Sequence, residues 1–245
     1  MICSSTRERF FISFTRTGIR HLLTLIGYST FGLSPTSEFS VVVYCSSSNV
    51  SQEWKDIAIA LVDQLYAMNA TLVTGGGGGL MELMTEHMLS LGGKVRAVML
   101  TGLSAPREYH KNPHLEKVWA KSMPERRCTL SSSCDAAVAL VGGAGTLEEV
   151  AELWASRKLG WHDKPVILLN HKGFWQGLVQ QLHAMVDAGA LSADGRDSIS
   201  VCDDLRSACE VLASAHRAKG KREHSHGDAV VRESVEVVAE EETTI

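Results

Sequence analysis

Short apolar runs alternate with helical patterns along most of the chain. The first run, FSVVVYCSS at residues 39–47, is rich in β-branched residues and ends in small polar ones. The next segment, residues 53–68, has apolar residues at helical spacing: Trp54, Ile57, Ala58, Leu61, Leu65 and Met68. A continuously apolar strand followed by an amphipathic helix indicates one βα unit.

The same design continues downstream. The segment TLVTGGGGGLMELMTEHML (residues 71–89) predicts a strand, a glycine bend and a helix, and further strands are predicted at residues 95–100, 136–141 and 165–170. Short, wholly apolar strands that alternate with helices are typical of a parallel sheet covered on both faces. The sequence therefore predicts a single α/β domain with a Rossmann-like, doubly wound parallel sheet, with ligands beyond the carboxyl ends of the strands.

The two ends of the chain differ from this central part in composition. Residues 1–38 contain four arginines and many Ser and Thr residues, so this extension fits either a mitochondrial targeting segment or a disordered extension. Residues 215–245 join a basic patch to an acidic end without an aromatic residue, which predicts a disordered charged tail. The domain is therefore predicted at residues 39–214.

Composition and charge narrow the class of protein. The formal net charge of -4 provides no basic surface for nucleic acid or an anionic membrane. No stretch reaches the ~20 apolar residues that a membrane span requires. The six cysteines lie far apart without a C-x-x-C pair, which indicates reduced thiols and an intracellular protein. We expect a cytoplasmic location, with a mitochondrial one as the alternative that the N-terminal segment leaves open.

A second glycine segment follows the strand predicted at residues 136–141. Gly142, Gly143 and Gly145 can bring bare backbone N–H groups close to a ligand, and Thr146 is predicted to cap the helix that begins there. Glu148 and Glu149 are then expected in the first helical turn. A helix N-terminus binds anions, but the same pattern also fits a well-capped structural helix, so both interpretations stay open.

This segment also carries a family resemblance. VGGAGTLEE (residues 141–149) resembles the P-G-G-x-G-T-x-x-E signature of the Lonely Guy family, the cytokinin riboside 5′-monophosphate phosphoribohydrolases long labelled lysine decarboxylases. Further segments resemble those of the family in the same order: YCSSS (44–48), VTGGGGGLM (73–81), PRE (106–108), MPERR (123–127) and KLGWHDKPVILLN (158–170). The resemblance covers residues 39–213, and so many ordered matches make chance an unsatisfactory explanation.

The chain departs from the family pattern at several points, among them Arg127, which takes the place of the family's lysine. Val141 replaces a proline, Ala144 replaces a tyrosine found in many members, and the glycine loop that ends in Leu80 and Met81 is one residue shorter. Ala144 removes an aromatic surface and the shortened loop lies at the mouth of the sheet. We therefore expect these departures to affect substrate choice more than the chemistry.

The resemblance implies hydrolysis of the N-glycosidic bond of a nucleoside 5′-monophosphate, which releases free base and ribose 5-phosphate. It implies that Arg126 and Glu149 are catalytic, with Glu149 beside the ribose and Arg126 at either the phosphate or the departing base. The implied substrate-binding residues are Ser46, Gly76, Gly77, Glu108, Arg127, Gly142, Gly143, Gly145 and Thr146. The family also implies a homodimer, for which the helix around Trp154 offers an aromatic surface.

Alternative functions stay open at this stage. One is a hydrolase of AMP or of nucleoside 5′-monophosphates in general, and others are a nucleotide-dependent oxidoreductase and a non-catalytic carrier of nucleotide or molybdenum cofactor. The first βα unit lacks the G-x-G-x-x-G pattern of dinucleotide enzymes, and the presence of both Arg126 and Glu149 argues against a carrier. We expect no cofactor and no metal, because Pro113 separates His110 from His114 and no third ligand is evident.

Overall fold

A seven-stranded sheet forms the centre of the structure, a computed structural model that describes residues 38–102 and 111–222. The strands are β1 (Ser40–Tyr44), β2 (Thr71–Thr74), β3 (Val95–Leu100), β4 (Leu115–Ala120), β5 (Ala136–Ala139), β6 (Val166–Leu169) and β7 (Ile199–Cys202). Their order is β4-β3-β2-β1-β5-β6-β7, and every neighbouring pair is parallel. The predicted α/β fold with a parallel sheet is confirmed.

Helices cover both faces of this sheet. They are α1 (Gln52–Ala67), α2 (Leu80–Ser90), α3 (Met123–Ser132), α4 (Ala144–Lys158), α5 (Gln176–Asp187), α6 (Ala193–Asp197) and α7 (205–222), with a short 3₁₀ turn at His171–Gly173. Alternate residues of β1 point to opposite faces. Val41 and Val43 pack with α1, α2 and α7, whereas Val42 and Tyr44 pack with α3, α4 and α5. The sheet is therefore doubly wound, with one hydrophobic core on each face.

Two strands, β4 and β7, were not predicted from the apolar runs. Both lie at the edges of the sheet, where part of each strand faces solvent. In β4, Glu116, Lys117 and Trp119 are exposed, and in β7 Val201 is exposed. An edge strand needs fewer apolar residues than a central one, so neither segment forms the continuous apolar run that marks the other five.

The domain extends further along the chain than the sequence indicated. Helix α7 continues through residue 222, so the boundary predicted at residue 214 falls too early. The ring of His216 stacks on Phe39 at 4.7 Å, and Lys219 Nζ lies 2.7 Å from Asp135 Oδ2. These contacts join residues 215–222 to the beginnings of β1 and β5. The predictions for residues 1–37 and 223–245 lie outside the described residues.

The described cysteines, Cys45, Cys128, Cys134, Cys202 and Cys209, are all unpaired. This state agrees with the expectation of reduced thiols. Within residues 38–102 and 111–222, no helix is both long enough and apolar enough to cross a lipid bilayer.

The order of the strands opens a crevice at one edge of the sheet. The central strands β1 and β5 are neighbours, with Tyr44 beside Ala139 at their carboxyl ends. The chain leaves β1 toward α1 on one face and leaves β5 toward α4 on the other. Because the two connections diverge, a crevice remains between them, as expected for ligand sites in open α/β sheets.

Candidate active site

A cavity of about 530 Å³ lies in this crevice. Its walls come from the loops that follow β1, β2 and β5, from the end of β3 and from helices α2, α3 and α4. The lining residues are Cys45, Ser46, Ser47, Ser48, Gly75, Gly76, Gly77, Gly78, Met81, Leu100, Met123, Arg126, Gly143, Ala144, Gly145, Thr146, Glu148 and Glu149. Segments from five separate parts of the sequence therefore meet in one site.

The N-terminus of α4 forms one wall. The helix begins at Ala144, directly after Gly143, and both Gly143 and Gly145 are exposed. A Cβ added at either glycine would meet no protein atom within 4 Å. The first N–H groups of a helix have no partner within it, and they carry the positive end of the helix dipole. This wall therefore offers an anion a set of backbone donors without side-chain obstruction.

The helix begins earlier than the sequence indicated. Thr146 is not the cap, because it is the third residue of α4 and its side chain is buried. Its side chain fills the space beside Gly142, where any added Cβ would collide with it. The first turn contains no acid, so Glu148 and Glu149 lie in the second turn. Thr146 thus packs against Gly142 at the bend before α4, and the two acids are not capping residues.

Arg126 reaches the cavity from α3 and is fixed by three hydrogen bonds. Its Nε donates to Val98 O at 3.1 Å, and its Nη2 donates to Gly75 O at 2.9 Å. Its Nη1 donates to Glu149 Oε1 at 3.3 Å. Val98 lies within β3, and Gly75 directly follows β2, so both carbonyl groups are held by the sheet. The guanidinium, only 13% exposed, is thus held beside the Glu149 carboxylate before any ligand binds.

The absence of a side chain at Gly75 makes this position available. A Cβ there would overlap the Arg126 guanidinium and would lie 3.1 Å from Met81 Sδ. Gly75 is therefore a functional residue that the sequence did not single out. It is the first of five consecutive glycines, so the sequence alone does not single it out. Its importance follows from the contact with Arg126 in the structure.

Glu149 lies in a largely buried position, with its side chain 14% exposed. Burial raises the pKa of the Glu149 carboxyl above its ordinary value, while the nearby Arg126 guanidinium acts in the opposite direction. The end of β1 is close to this carboxylate. Burial, with a contribution from Glu149, also raises the pKa of Tyr44 and of Cys45, so both groups stay protonated at neutral pH. The pair of Arg126 and Glu149 thus lies in an environment with little water, where electrostatic interactions are strong.

Arg127 is oriented away from the predicted substrate contact. Its Nη1 lies 3.0 Å from Glu148 Oε1, and its Nε donates to Glu152 Oε2 at 2.8 Å. It does not line the cavity, whereas Glu148 does. The structure therefore separates two adjacent arginines, with Arg126 inside the site and Arg127 between α3 and α4.

The loop after β1 connects the two glycine segments. The N–H of Ser46 donates to Val141 O at 2.9 Å, and Ser46 O accepts from the N–H of Leu80 at 3.1 Å. The Ser46 side chain accepts from the N–H of Ser48 at 3.0 Å. Ser46 thus lies at the junction of the loops after β1, β2 and β5, and its neighbours Ser47 and Ser48 add hydroxyl groups to the cavity wall.

The cavity also has an apolar wall. Met81 from α2, Leu100 from the end of β3 and Met123 from the start of α3 line it. Unbranched methionine side chains adapt to ligands of different shape. Ala144 adds little bulk at the helix N-terminus, so no aromatic ring from that position enters the site.

Most of the predicted site residues come together in this cavity. Arg126, Glu149, Gly143, Gly145, Thr146, Ser46, Gly76 and Gly77 all line it. Gly142 lies behind the wall, Arg127 lies outside it, and Glu108 lies outside the described residues. Sequence reasoning missed Gly75, Met81, Leu100 and Met123, although Met123 begins the segment that contains Arg126. Across residues 38–102 and 111–222, no group of three His, Cys, Asp or Glu side chains is arranged to hold a metal ion.

Comparisons with known proteins agree on a family and a fold. The family model described as possible lysine decarboxylase matches residues 81–212. The chain is 36% identical over 158 residues to a cytokinin riboside 5′-monophosphate phosphoribohydrolase from Arabidopsis thaliana. This alignment covers 64% of this chain and 74% of the relative.

Solved structures give a similar picture. The structural-genomics protein TM1055 matches with a TM-score of 0.55 and 25% identity, over 72% of this chain and 99% of that protein. A molybdenum cofactor carrier protein from Chlamydomonas reinhardtii matches with a TM-score of 0.54 and 20% identity, over 73% of this chain and 98% of the carrier. At that identity the match with the carrier shows the fold alone.

Proposed function

The chain belongs to the Lonely Guy family, which the possible lysine decarboxylase model describes and whose curated relatives are phosphoribohydrolases, and we propose that it hydrolyses cytokinin riboside 5′-monophosphates. The products are the free N6-modified adenine and ribose 5-phosphate. The observation that carries the proposal is the Arg126–Glu149 pair beside the open N-terminus of α4. The pair supplies charge at the reacting bond and the helix supplies donors for the phosphate.

The spacing along α4 suits a ribose 5-phosphate. Gly145 and Glu149 are four residues apart, which corresponds to about 6 Å along the helix axis. Side chains of a helix lean toward its N-terminus, so the Glu149 carboxylate approaches the mouth of the cavity. A 5′-phosphate bound at the first turn therefore leaves the sugar next to Glu149, with the base directed toward the apolar wall.

The residues divide the reaction between them. As the bond from C1′ to the base nitrogen breaks, positive charge develops on the ribose ring, and the nearby Glu149 carboxylate stabilises it. The oxygen of the attacking water bonds to C1′ and Glu149 accepts its proton, while the base leaves with the electron pair of the broken bond and then takes up that proton. Arg126 stays charged at all working pH values, so it does not act as the acid. Two of its five N–H groups have no partner among the three hydrogen bonds described, and these can stabilise negative charge on the departing base.

The apolar wall supports a preference for an N6-substituted base over AMP. Met81, Leu100 and Met123 present carbon and sulfur surface, and an apolar substituent gains about 25 cal/mol for each Å² that it buries. Plain adenine leaves this wall in contact with water. We expect the purified full-length chain to release base from isopentenyladenosine monophosphate faster than from AMP, measured by chromatography.

The unphosphorylated riboside provides the matching control for the phosphate. The riboside lacks the phosphate that the backbone N–H groups of α4 are proposed to bind, so it should react far more slowly than its monophosphate. Equal rates for the two compounds would contradict the proposed anion site. Binding of the monophosphate without release of base would favour the carrier, and equal rates with AMP would favour a general nucleotide hydrolase.

The catalytic pair is tested by substitution. Arg126→Ala and Glu149→Gln should each lower kcat by about 100-fold or more, because each removes a group that acts on the transition state. The ion pair between Arg96 and Glu116, 2.7 Å apart, joins β3 to β4 near the amino ends of the strands and offers a matched control. Arg96→Gln and Glu116→Gln should keep kcat close to that of the wild type. Comparable losses in the control pair would contradict the catalytic role.

A homodimer and a cytoplasmic location complete the proposal. Trp154 does not provide the dimer surface, because its Nε1 donates to Gly195 O and Ser198 Oγ within the chain. Leu159 and Trp161 at the end of α4 are 63% and 76% exposed, and apolar residues this exposed support contact with a second copy. Light scattering should give twice the chain mass, and a monomer at micromolar concentration would contradict this. The proposed cytoplasmic location is supported by the described cysteines, which are unpaired.

A further inference from the structure

Helices α3 and α4 carry the two proposed catalytic residues but pack over different parts of the sheet. Helix α3 packs on β3 and β4, whereas α4 packs on β1 and β6. Strand β2 lies between these two groups in the sheet order. The sheet holds Arg126 through Val98 O and Gly75 O, but the position of α4 and Glu149 relative to α3 also depends on side chains that cross from one helix to the other.

Arg127 makes such a crossing. Its guanidinium pairs with Glu148 at 3.0 Å and with Glu152 at 2.8 Å. The two acids are four residues apart, so one arginine binds two successive turns of α4. Glu149 lies between these turns, and Arg126 is the immediate neighbour of Arg127. The ion pairs of Arg127 therefore lie next to the proposed catalytic residue on each of the two helices.

We propose that Arg127 is a positioning residue, which holds α3 against α4 through Glu148 and Glu152 and thereby fixes Arg126 beside Glu149. This role rests on the proposed function of the Arg126–Glu149 pair, and it replaces the substrate contact that the sequence suggested. An isolated exposed ion pair contributes little to stability, but the Arg127 side chain is only 20% exposed and binds two carboxylates at once. A planar guanidinium can hold two carboxylates in a fixed geometry, whereas a lysine ammonium acts as a point charge.

The same network adjusts the charge on Glu149. The titratable and charged groups around its carboxylate come from α3, α4 and the end of β1, namely Arg126, Arg127, Glu148, Tyr44 and Cys45. Burial is the main cause of the raised pKa of Glu149, and Arg126 opposes it. Within the network of Arg127, Glu148 and Glu152, Glu148 raises the pKa of Glu149 and Arg127 lowers it. Removing one or the other should therefore shift the pKa of Glu149 in opposite directions.

The first test needs no substrate. The full chain is labelled with ¹³C at glutamate carboxyl groups, and the Glu149 signal is identified by its loss in Glu149→Gln. In pH titrations, Arg127→Gln should raise the pKa of Glu149 and Glu148→Gln should lower it. Arg127→Lys, which keeps the charge, should leave this pKa near that of the wild type. Arg96→Gln loses an ion pair of similar exposure at the other end of the sheet, and it should cause no shift.

The second test separates positioning from binding by steady-state kinetics. Arg127→Gln should lower kcat about 10-fold or more, because a small displacement of catalytic groups is enough for such a loss. KM should change little, since the phosphate donors belong to the backbone of α4. Arg127→Lys, which introduces the lysine of the family pattern, should keep more of kcat than Arg127→Gln, because its ammonium can still attract both carboxylates.

The outcomes distinguish this role from the alternatives. A raised KM with unchanged kcat in Arg127→Gln would mean that Arg127 contacts the substrate, and this would overturn the positioning role. Titration shifts in the same direction for Arg127→Gln and Glu148→Gln, or no shift in either, would also overturn it. If the wild-type chain released no base, the proposed function would fail, and the titration would still decide the arrangement around Glu149.

Discussion

Replacing Gly75 by alanine should inactivate the protein by displacing a single side chain. The added Cβ would overlap the Arg126 guanidinium, with its Cζ only 3.0 Å away, and would also approach Met81. Met81 is flexible and can move aside. Arg126 is held by Val98 O and Glu149, so the new methyl group forces its guanidinium out of position.

The magnitude follows from the bonds that Arg126 loses. Displacement breaks the bonds to Gly75 O and Glu149, and a hydrogen bond to a charged group contributes about 1.5–3 kcal/mol. Water in the cavity compensates for part of this loss, which leaves a net destabilisation of about 2 kcal/mol. For a domain of this size, the melting temperature should fall by roughly 4–8 °C. The rate should fall by about 100-fold or more, as for other preorganised donors.

Gly177→Ala is the control, because Gly177 lies in α5 outside the cavity and a Cβ there would meet no protein atom within 4 Å. Base release from isopentenyladenosine monophosphate gives kcat and KM for both variants, and a thermal melt gives their stability. The assay is run well below the melting temperature of each variant. Equal activity of Gly75→Ala and Gly177→Ala would refute the displacement of Arg126, as would a loss of rate that merely follows the unfolded fraction.

Two further substitutions have effects on stability that can be told apart from effects on function. Gly145→Ala should raise the melting temperature, since alanine is more favourable than glycine in a helix by about 0.5–1 kcal/mol. It should also raise KM, because the added methyl group obstructs the approach of the phosphate. An unchanged KM would contradict the anion site. Glu149→Gln should stabilise the protein at neutral pH. Because burial raises the pKa of Glu149 in the folded state, the folded protein keeps this proton to higher pH than the unfolded chain. Wild-type stability relative to Glu149→Gln should therefore fall as pH rises from the ordinary value of 4.5 toward the raised pKa. Urea denaturation at about pH 4 and about pH 7 measures this difference, and an opposite trend would contradict the burial argument.

The central strands could be predicted because both of their faces are buried. A strand such as β1, with all five residues buried, leaves a continuous apolar run in the sequence. The edge strands β4 and β7 leave no such run, because part of each faces solvent. The end of the domain was also missed, since residues 216–222 of α7 form no apolar run and reach the sheet through contacts such as the pair of Lys219 and Asp135.

The site could be located from the sequence but not assembled. The carboxyl ends of parallel strands meet at one edge, so the motifs that contain Arg126, Glu149 and Gly143 were expected to lie together. Their partners depend on distances between segments far apart in the chain, such as the 51 residues that separate Gly75 from Arg126. The start of α4 was misjudged because glycine disfavours helices, yet Gly145 lies within the helix.

The two ends of the cavity differ in how they can change during evolution. The anion end consists of main-chain atoms of α4, which every amino acid possesses, so a substitution can damage it only by adding bulk or by moving the helix. The apolar end consists of the side chains of Met81, Leu100 and Met123, each of which a single nucleotide change can replace. Descendants of this chain can therefore acquire new base preferences one step at a time while the requirement for a 5′-phosphate persists.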